Sequence, residues 1–191
     1  KGAIGEMNAF LLGMIIIGKI LIAALSRTDL SAEKRKDFYL YIDEFQNFTT
    51  DSICSILSEA RKYGLNLIIA HQYLGQLNDK SGHSAIRDAV FGNVGSWFLF
   101  KVGSEDAEVM EKEFGPVFNQ FDLINIEKFT IYAKVLVDNA ASRAFSLAPS
   151  WPLPGTSRPE VAESIKALSR LKYGRDRHLI EAEIKRRVNM E

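Results

Sequence analysis

"FYLYIDEFQNF", residues 38 to 48, is an apolar, aromatic-rich run that ends abruptly in two adjacent acids, Asp43 and Glu44. The run predicts a strand, and its uniform apolarity predicts cover on both faces. A second strand, "LNLIIA" (Leu65 to Ala70), follows it. Between them lies "TTDSICSILSEARKYG", where Ile53, Ile56, Leu57 and Ala60 fall at helical spacing. Thr50 or Asp51 is placed to cap that helix, and Gly64 to end it in a left-handed turn. The alternation continues through a short helix at Ala85 to Phe91 and a third strand, "GSWFLFKV". A helix over "SEDAEVMEKEFG" comes next, capped by Ser104 and stopped by Gly115-Pro116. Strand, helix, strand in this order over residues 38 to 114 predicts an α/β fold with a mostly parallel sheet and helices on its faces. "KFTIYAKVLV" and "SRAFSLA", joined by "DNAA", predict a hairpin that extends one sheet edge antiparallel.

Outward from this centre, "FLLGMIIIGKILIAAL" (Phe10 to Leu25) is the most apolar segment. It is short for a membrane span, Lys19 interrupts it, and it lacks the features of a signal peptide. It reads as a helix buried between the sheet and a neighbour. "SRTDLSAEKRKD" reads as a surface connection. At the other end, "APSWPLPGTSRP" holds four of the five prolines, a composition break typical of a linker. Beyond it, Ser157, Pro159 and Glu160 form a helix-start signature. Val161, Ile165, Leu168 and Leu171 give that helix one apolar face, and Gly174 ends it. Asp176 starts another helix, with Glu181–Lys185 and Glu183–Arg187 predicted as ion pairs one turn apart. The predicted organisation is a domain at 1–148, a linker at 149–158 and a helical tail at 159–191.

The bulk numbers bound this picture. The 191 residues suffice for one domain with a real core. At 47% hydrophobic and 25% charged, the chain has the balance of a globular protein, not a disordered one. Lysine plus arginine equals aspartate plus glutamate at 24 each, so overall charge gives no support for nucleic-acid binding. A single cysteine, Cys54, excludes an intrachain disulfide and a cysteine-based metal site.

Ligands of open parallel sheets bind beyond the carboxyl ends of the strands. Asp43 and Glu44 are predicted at such an end. A nucleotide-bound Mg²⁺ keeps most of its waters and takes one or two carboxylates. Asp43 suits that metal, and Glu44 suits orienting or deprotonating an attacking water. The bland alternative is a strand stopped by acids. The second strand bears on the choice, because "IIAHQ" sets Gln72 on the same rim, where an amide can sense a γ-phosphate. The bland reading of Gln72 is an ordinary polar loop residue. Arg61, at the end of the intervening helix, either satisfies the helix dipole or serves a neighbouring subunit's nucleotide as an arginine finger.

These stretches in register, "GAIGEMNAFLLG", "FYLYIDEFQNFTT", "ILSEARKYGLNLIIAHQYLGQL" and "IRDAVFGNVGSWFLFKVGSEDAEVMEKEFG", resemble the C-terminal half of the motor domain of HerA- and FtsK-type ATPases. More narrowly, they are similar to the type IV secretion coupling proteins, the conjugative DNA pumps. The resemblance covers residues 1 to 148. It implies a RecA-like P-loop ATPase core, a homo-hexameric ring, ATP and Mg²⁺ as cofactors, and DNA or a relaxosome as cargo. It places the protein at the cytoplasmic face of a membrane beside the type IV secretion machinery. Matched position by position, Asp43 is the Walker-B metal acid, Glu44 the catalytic acid, Gln72 the phosphate sensor and Arg61 the trans-acting arginine. Lys80 and Arg87 are the candidates for DNA contact, against the simpler reading of a solvated loop.

The chain departs from this family in having no G-x-x-x-x-G-K-[ST] sequence. The glycine-rich loop and the membrane helices are expected before Lys1, so the chain reads as a fragment that does not hold nucleotide tightly alone. Two alternatives stay open. "IDEFQ" also resembles the second motif of superfamily-one helicases, although no later helicase motif follows. A non-catalytic, ATPase-like ring or adaptor domain is the other.

Overall fold

The computed structural model describes residues 5–48, 57–78, 85–150 and 158–188. The chain divides into two compact units, Lys1–Pro149 and Ser150–Glu191.

The first unit opens with α1, Glu6–Leu25. A loop with two short 3-10 turns leads to β1, Phe38–Ile42. A 3-10 turn at Ala60–Tyr63 precedes β2, Leu65–Ile69, which pairs with β1 in parallel, Phe38 opposite Leu65 and Ile42 opposite Ile69. The predicted caps Thr50 and Asp51 and the start of this helix, with Cys54, lie outside the described residues. Gly64 does end it left-handed, at φ 71°. A side chain there would also press on the Lys36 carbonyl oxygen, 3.0 Å from an added Cβ.

The expectation of full cover on both faces of these strands is corrected. Leu40, Ile42, Leu65, Leu67 and Ile69 turn to the packed side. Tyr39, Tyr41 and Ile68 alternate onto an open face, with Tyr41 72% exposed. An apolar run marks a strand, but it does not say which chain covers it.

The buried-helix expectation for α1 is corrected in the same way. Gly13, Ile17, Ile20 and Ala24 recur at helical spacing and form its packed face. Phe48 sits so close to Gly13 that an added Cβ would overlap its ring. Leu11, Ile15 and Ile22 lie on the opposite face and are 49–68% exposed. The helix is continuous over 20 residues, about 30 Å long. Among the described residues it is the one helix long and apolar enough to cross a membrane.

After β2 come α2 (Ala85–Asn93), β3 (Trp97–Leu99), α3 (Ser104–Phe114) and α4 (Gln120–Ile124). Ser104 is not the cap of α3, since Gly103 occupies that position. Gly115 ends α3 as predicted. The short α4 was not foreseen. Asn119 starts it by exchanging two hydrogen bonds with Asp122: its Oδ1 accepts the Asp122 N–H at 3.1 Å, and its N–H donates to Asp122 Oδ2 at 2.8 Å.

The third strand is a further correction. β3 does not extend the parallel pair. It pairs antiparallel with β4 (Ile131–Lys134), which pairs antiparallel with β7 (Phe145–Leu147). The predicted hairpin is present, but this second sheet contains its stem. Its tip is a separate pair, β5 (Leu136–Val137) with β6 (Ala140–Ala141), turned by Asp138 and Asn139 at φ 49° and 64°. Phe45, Phe114 and Leu123, all at 0% exposure, lie in one core that α1, the parallel pair and the α3–α4 pair share.

In the second unit, α5 spans Pro159–Tyr173 with its proline in the first turn, as predicted, and Ser157 lies outside the described residues. α6 spans Arg177–Val188. Asp176 Oδ1 accepts the N–H groups of His178 and Leu179, at 2.9 and 3.2 Å. Glu183 pairs with Arg187 as predicted. Glu181 pairs instead with Arg177, one turn toward the helix start, at 2.6 Å.

Candidate functional site

The parallel ladder continues one step past both strands. Ala70 N–H donates to Ile42 O at 3.0 Å, and Phe45 N–H donates to Ala70 O at 2.9 Å. These bonds hold the segment after β1 against the segment after β2. They bring Asp43, Glu44 and Gln72 to one rim, as the sequence predicts.

At Glu44 the backbone turns left-handed, φ 52°, a conformation that costs free energy in a residue with a long side chain. Three features hold it. Asp43 Oδ1 accepts the Glu44 N–H at 2.9 Å, Asn47 donates its N–H and Nδ2 to Glu44 O at 2.9 and 3.0 Å, and Phe45 is anchored with no exposed surface. The turn carries the Glu44 carboxylate toward the end of β2. There Gln72 Nε2 donates to Glu44 Oε1 at 2.9 Å. Gln46 Nε2 donates to Glu44 Oε2 at 2.5 Å. The loop bearing Gln72 is tied in turn. Gln76 Oε1 accepts the N–H groups of Gln72 and Tyr73, at 3.0 and 3.3 Å, and Asp106 Oδ2 of α3 accepts that of Leu74 at 3.1 Å. His71, half-buried beside them, has its pKa lowered by burial, against smaller opposing effects from the Tyr73 backbone and the Asp106 charge.

Asp43 is exposed, with one carboxylate oxygen engaged by a backbone amide. No group of three or more metal-ligating side chains exists among the described residues. A single exposed carboxylate fits a hydrated Mg²⁺ that takes its other ligands from water and phosphate. It does not fit a metal caged by protein. The chain offers no glycine-rich phosphate cradle of the P-loop kind.

Arg61 is not part of this rim. It precedes β2, whereas the acids and Gln72 follow the strand ends, so the length of the strand, about 15 Å, separates them. Arg61 is exposed, and its Nη2 donates to Asn139 Oδ1 at the hairpin tip, 3.0 Å away. The carbonyls that end its helix are capped by two arginines the sequence reading passed over as surface connection. Arg27 donates to Tyr63 O at 3.0 Å and to Lys36 O at 2.7 Å. Arg35 donates to Lys62 O at 2.6 Å and lies over the Tyr63 ring. Lys80 lies outside the described residues. Arg87, in α2, packs its guanidinium over Phe91, 5.9 Å from the ring centre.

Gln46, Gln76 and Asp106 were also missed as supports of the rim, and Asn139 as the partner of Arg61. Gln46 stands two residues after Glu44, which is the only signal the sequence holds for it.

Two solved structures share this architecture. One is the bacterial conjugative coupling protein TrwBdeltaN70 in an unbound monoclinic form. It matches with a TM-score of 0.54 and 15% identity, over 71% of this chain and 37% of that one. The other is the plasmid coupling protein TrwB in complex with the non-hydrolysable GTP analogue GDPNP. Its TM-score is 0.55 and its identity 17%, over 71% of this chain and 36% of that one. The chain thus spans little more than a third of the length of either. No curated protein matches it in sequence. The chain shares the RecA-like fold of the matching part of these two structures. Residues 37–115 match the TraG-D_C family, described as the TraM recognition site of TraD and TraG. That segment is similar to this family, and the fold is similar to that of the two coupling-protein structures.

Proposed function

We propose that this chain supplies the acid-bearing part of an ATP-hydrolysing motor that moves DNA in conjugation. The observation that carries the reading is the Gln72–Glu44 hydrogen bond on the rim of a parallel strand pair. It places an amide able to sense phosphate in contact with an acid able to activate water. Mg²⁺-ATP, when bound, supplies the transferable phosphoryl group and the charge that makes it reactive. Asp43 holds the hydrated metal. Glu44 orients the attacking water and takes its proton. Gln72 reports the γ-phosphate to Glu44 through its amide. Arg61 is turned away from its own acids, so it serves the nucleotide of a neighbouring copy in a hexameric ring. The phosphate cradle comes from chain outside these residues. DNA or a relaxosome is the cargo, and the family's description names TraM as a partner for this segment. The ring works at the cytoplasmic face of the membrane, beside the secretion machinery.

The test uses the whole gene product. Glu44→Gln keeps shape and removes the charge that takes the proton. ATP binding is retained and kcat falls by about 10²-fold or more. Unchanged kcat in this variant removes the role from Glu44. A wild-type protein that binds and turns over no ATP leaves the non-catalytic ring subunit as the correct reading.

A further inference from the structure

Both oxygens of the Glu44 carboxylate are engaged by glutamine amides, and the two donors stand on different supports. Gln46 belongs to the 3-10 turn Phe45–Phe48, fastened by the fully buried Phe45, and is itself half-buried. Gln72 is exposed and belongs to the loop after β2. The 2.5 Å bond is made by Gln46 and the 2.9 Å bond by Gln72. Hydrogen bonds to an ionised carboxylate are among the stronger ones and fix its direction.

We propose that Gln46 is a positioning residue, the fixed arm of an amide clamp on Glu44 whose exchangeable arm is Gln72. The purpose of the clamp rests on the ATPase reading above. A phosphate at the rim competes with Glu44 Oε1 for the amide of Gln72, because an exposed side chain on a loop is free to turn. Gln46 has no such freedom. When Gln72 leaves, Oε1 becomes available to a water while Oε2 stays held. The acid is then aimed without being blocked, and hydrolysis waits for phosphate.

The experiment reads the clamp first without nucleotide. The 191-residue chain contains four glutamines, at 46, 72, 76 and 120. In ¹⁵N-glutamine-labelled protein, the side-chain amide signals of Gln46 and Gln72 are expected away from exposed-amide positions. Both move and exchange faster in Glu44→Ala. Gln120, whose amide donates to Ser104 O, stays in place and reports that the fold is kept. Amides of Gln46 that ignore Glu44→Ala overturn the clamp, whatever the protein's ATPase activity proves to be. Turnover of the whole gene product supplies the second arm. Gln46→Met keeps length and loses the donor, so kcat falls about tenfold with KM for ATP within about twofold. Gln46→Lys restores a donor and recovers most of the loss. Wild-type kcat in Gln46→Met, or no recovery in Gln46→Lys, overturns the positioning role. A Glu44→Gln protein with undiminished kcat refutes the ATPase assignment instead and leaves the amide signals to decide the clamp.

Discussion

His71 stands one residue before Gln72, half-buried, with its Nδ1 buried and without a hydrogen-bond partner. Burial is the largest influence on it and favours the neutral ring, while the Tyr73 backbone and the Asp106 charge pull the other way and lose. Its folded pKa therefore lies below the unfolded value of about 6.5. Above that value both states are neutral and His71 contributes nothing to the pH dependence. As pH falls through it, the unfolded chain takes a proton that the folded chain refuses, and stability drops. Calorimetry between about pH 7.5 and 5.5 is expected to show Tm falling with pH, and falling less steeply in His71→Gln. Parallel slopes in the two proteins would show that the imidazole titrates alike folded and unfolded. The residues of the rim differ in how legible they were. Asp43, Glu44 and Gln72 could be placed because an apolar run followed by a polar residue states where a strand ends. Gln46 could not, because its contact with Glu44 depends on a φ of 52° that no periodicity announces.

Among elements, those held by local rules followed the sequence. Gly64, Gly115, Pro159 and Asp176 sit at helix ends as their chemistry predicts. β3 did not follow, because the alternation of strands and helices gives an order along the chain and not a pairing. Its partner β4 lies some thirty residues on, with its own buried face at Ile131 and Ala133. The hairpin tip shows what that pairing accomplishes, since it brings Asn139 to Arg61 across 78 positions of sequence. Arg61 is thereby presented at the rim opposite its own acids. Under the proposed function of a ring ATPase, Arg61→Ala in the whole gene product is expected to abolish hydrolysis, and wild-type protein doped with it to lose activity faster than its share. Asn139→Gly keeps the left-handed turn and removes the acceptor, so it should lose about threefold to tenfold. Doping curves of ATPase rate decide the matter. Activity proportional to wild-type content leaves Arg61 no function in hydrolysis, because the length of β2 bars it from its own site.

For the whole molecule, the main fact is that α1 is apolar on both faces and packed on one. Its inner face closes on Phe48 and the core, while Leu11, Leu12, Ile15, Ile16 and Ile22 remain open. The tyrosines on the open face of β1 add to the exposed apolar surface of the same unit. Sequence reading found the apolar residues and assumed their cover, because hydrophobicity reports the need for burial and not the chain that provides it. Continuous apolar surface of this kind in water drives association. The 191-residue chain should therefore elute well above its 21.5 kDa mass and bind an apolar dye strongly. Leu12→Glu with Ile16→Lys puts one charge of each sign on the open face and leaves Gly13, Ile17 and Ala24 untouched. That double variant should elute as a monomer, bind little dye and keep the helical circular dichroism of the parent. A parent chain that runs as a monomer and ignores the dye would mean that the outer face of α1 is covered in solution.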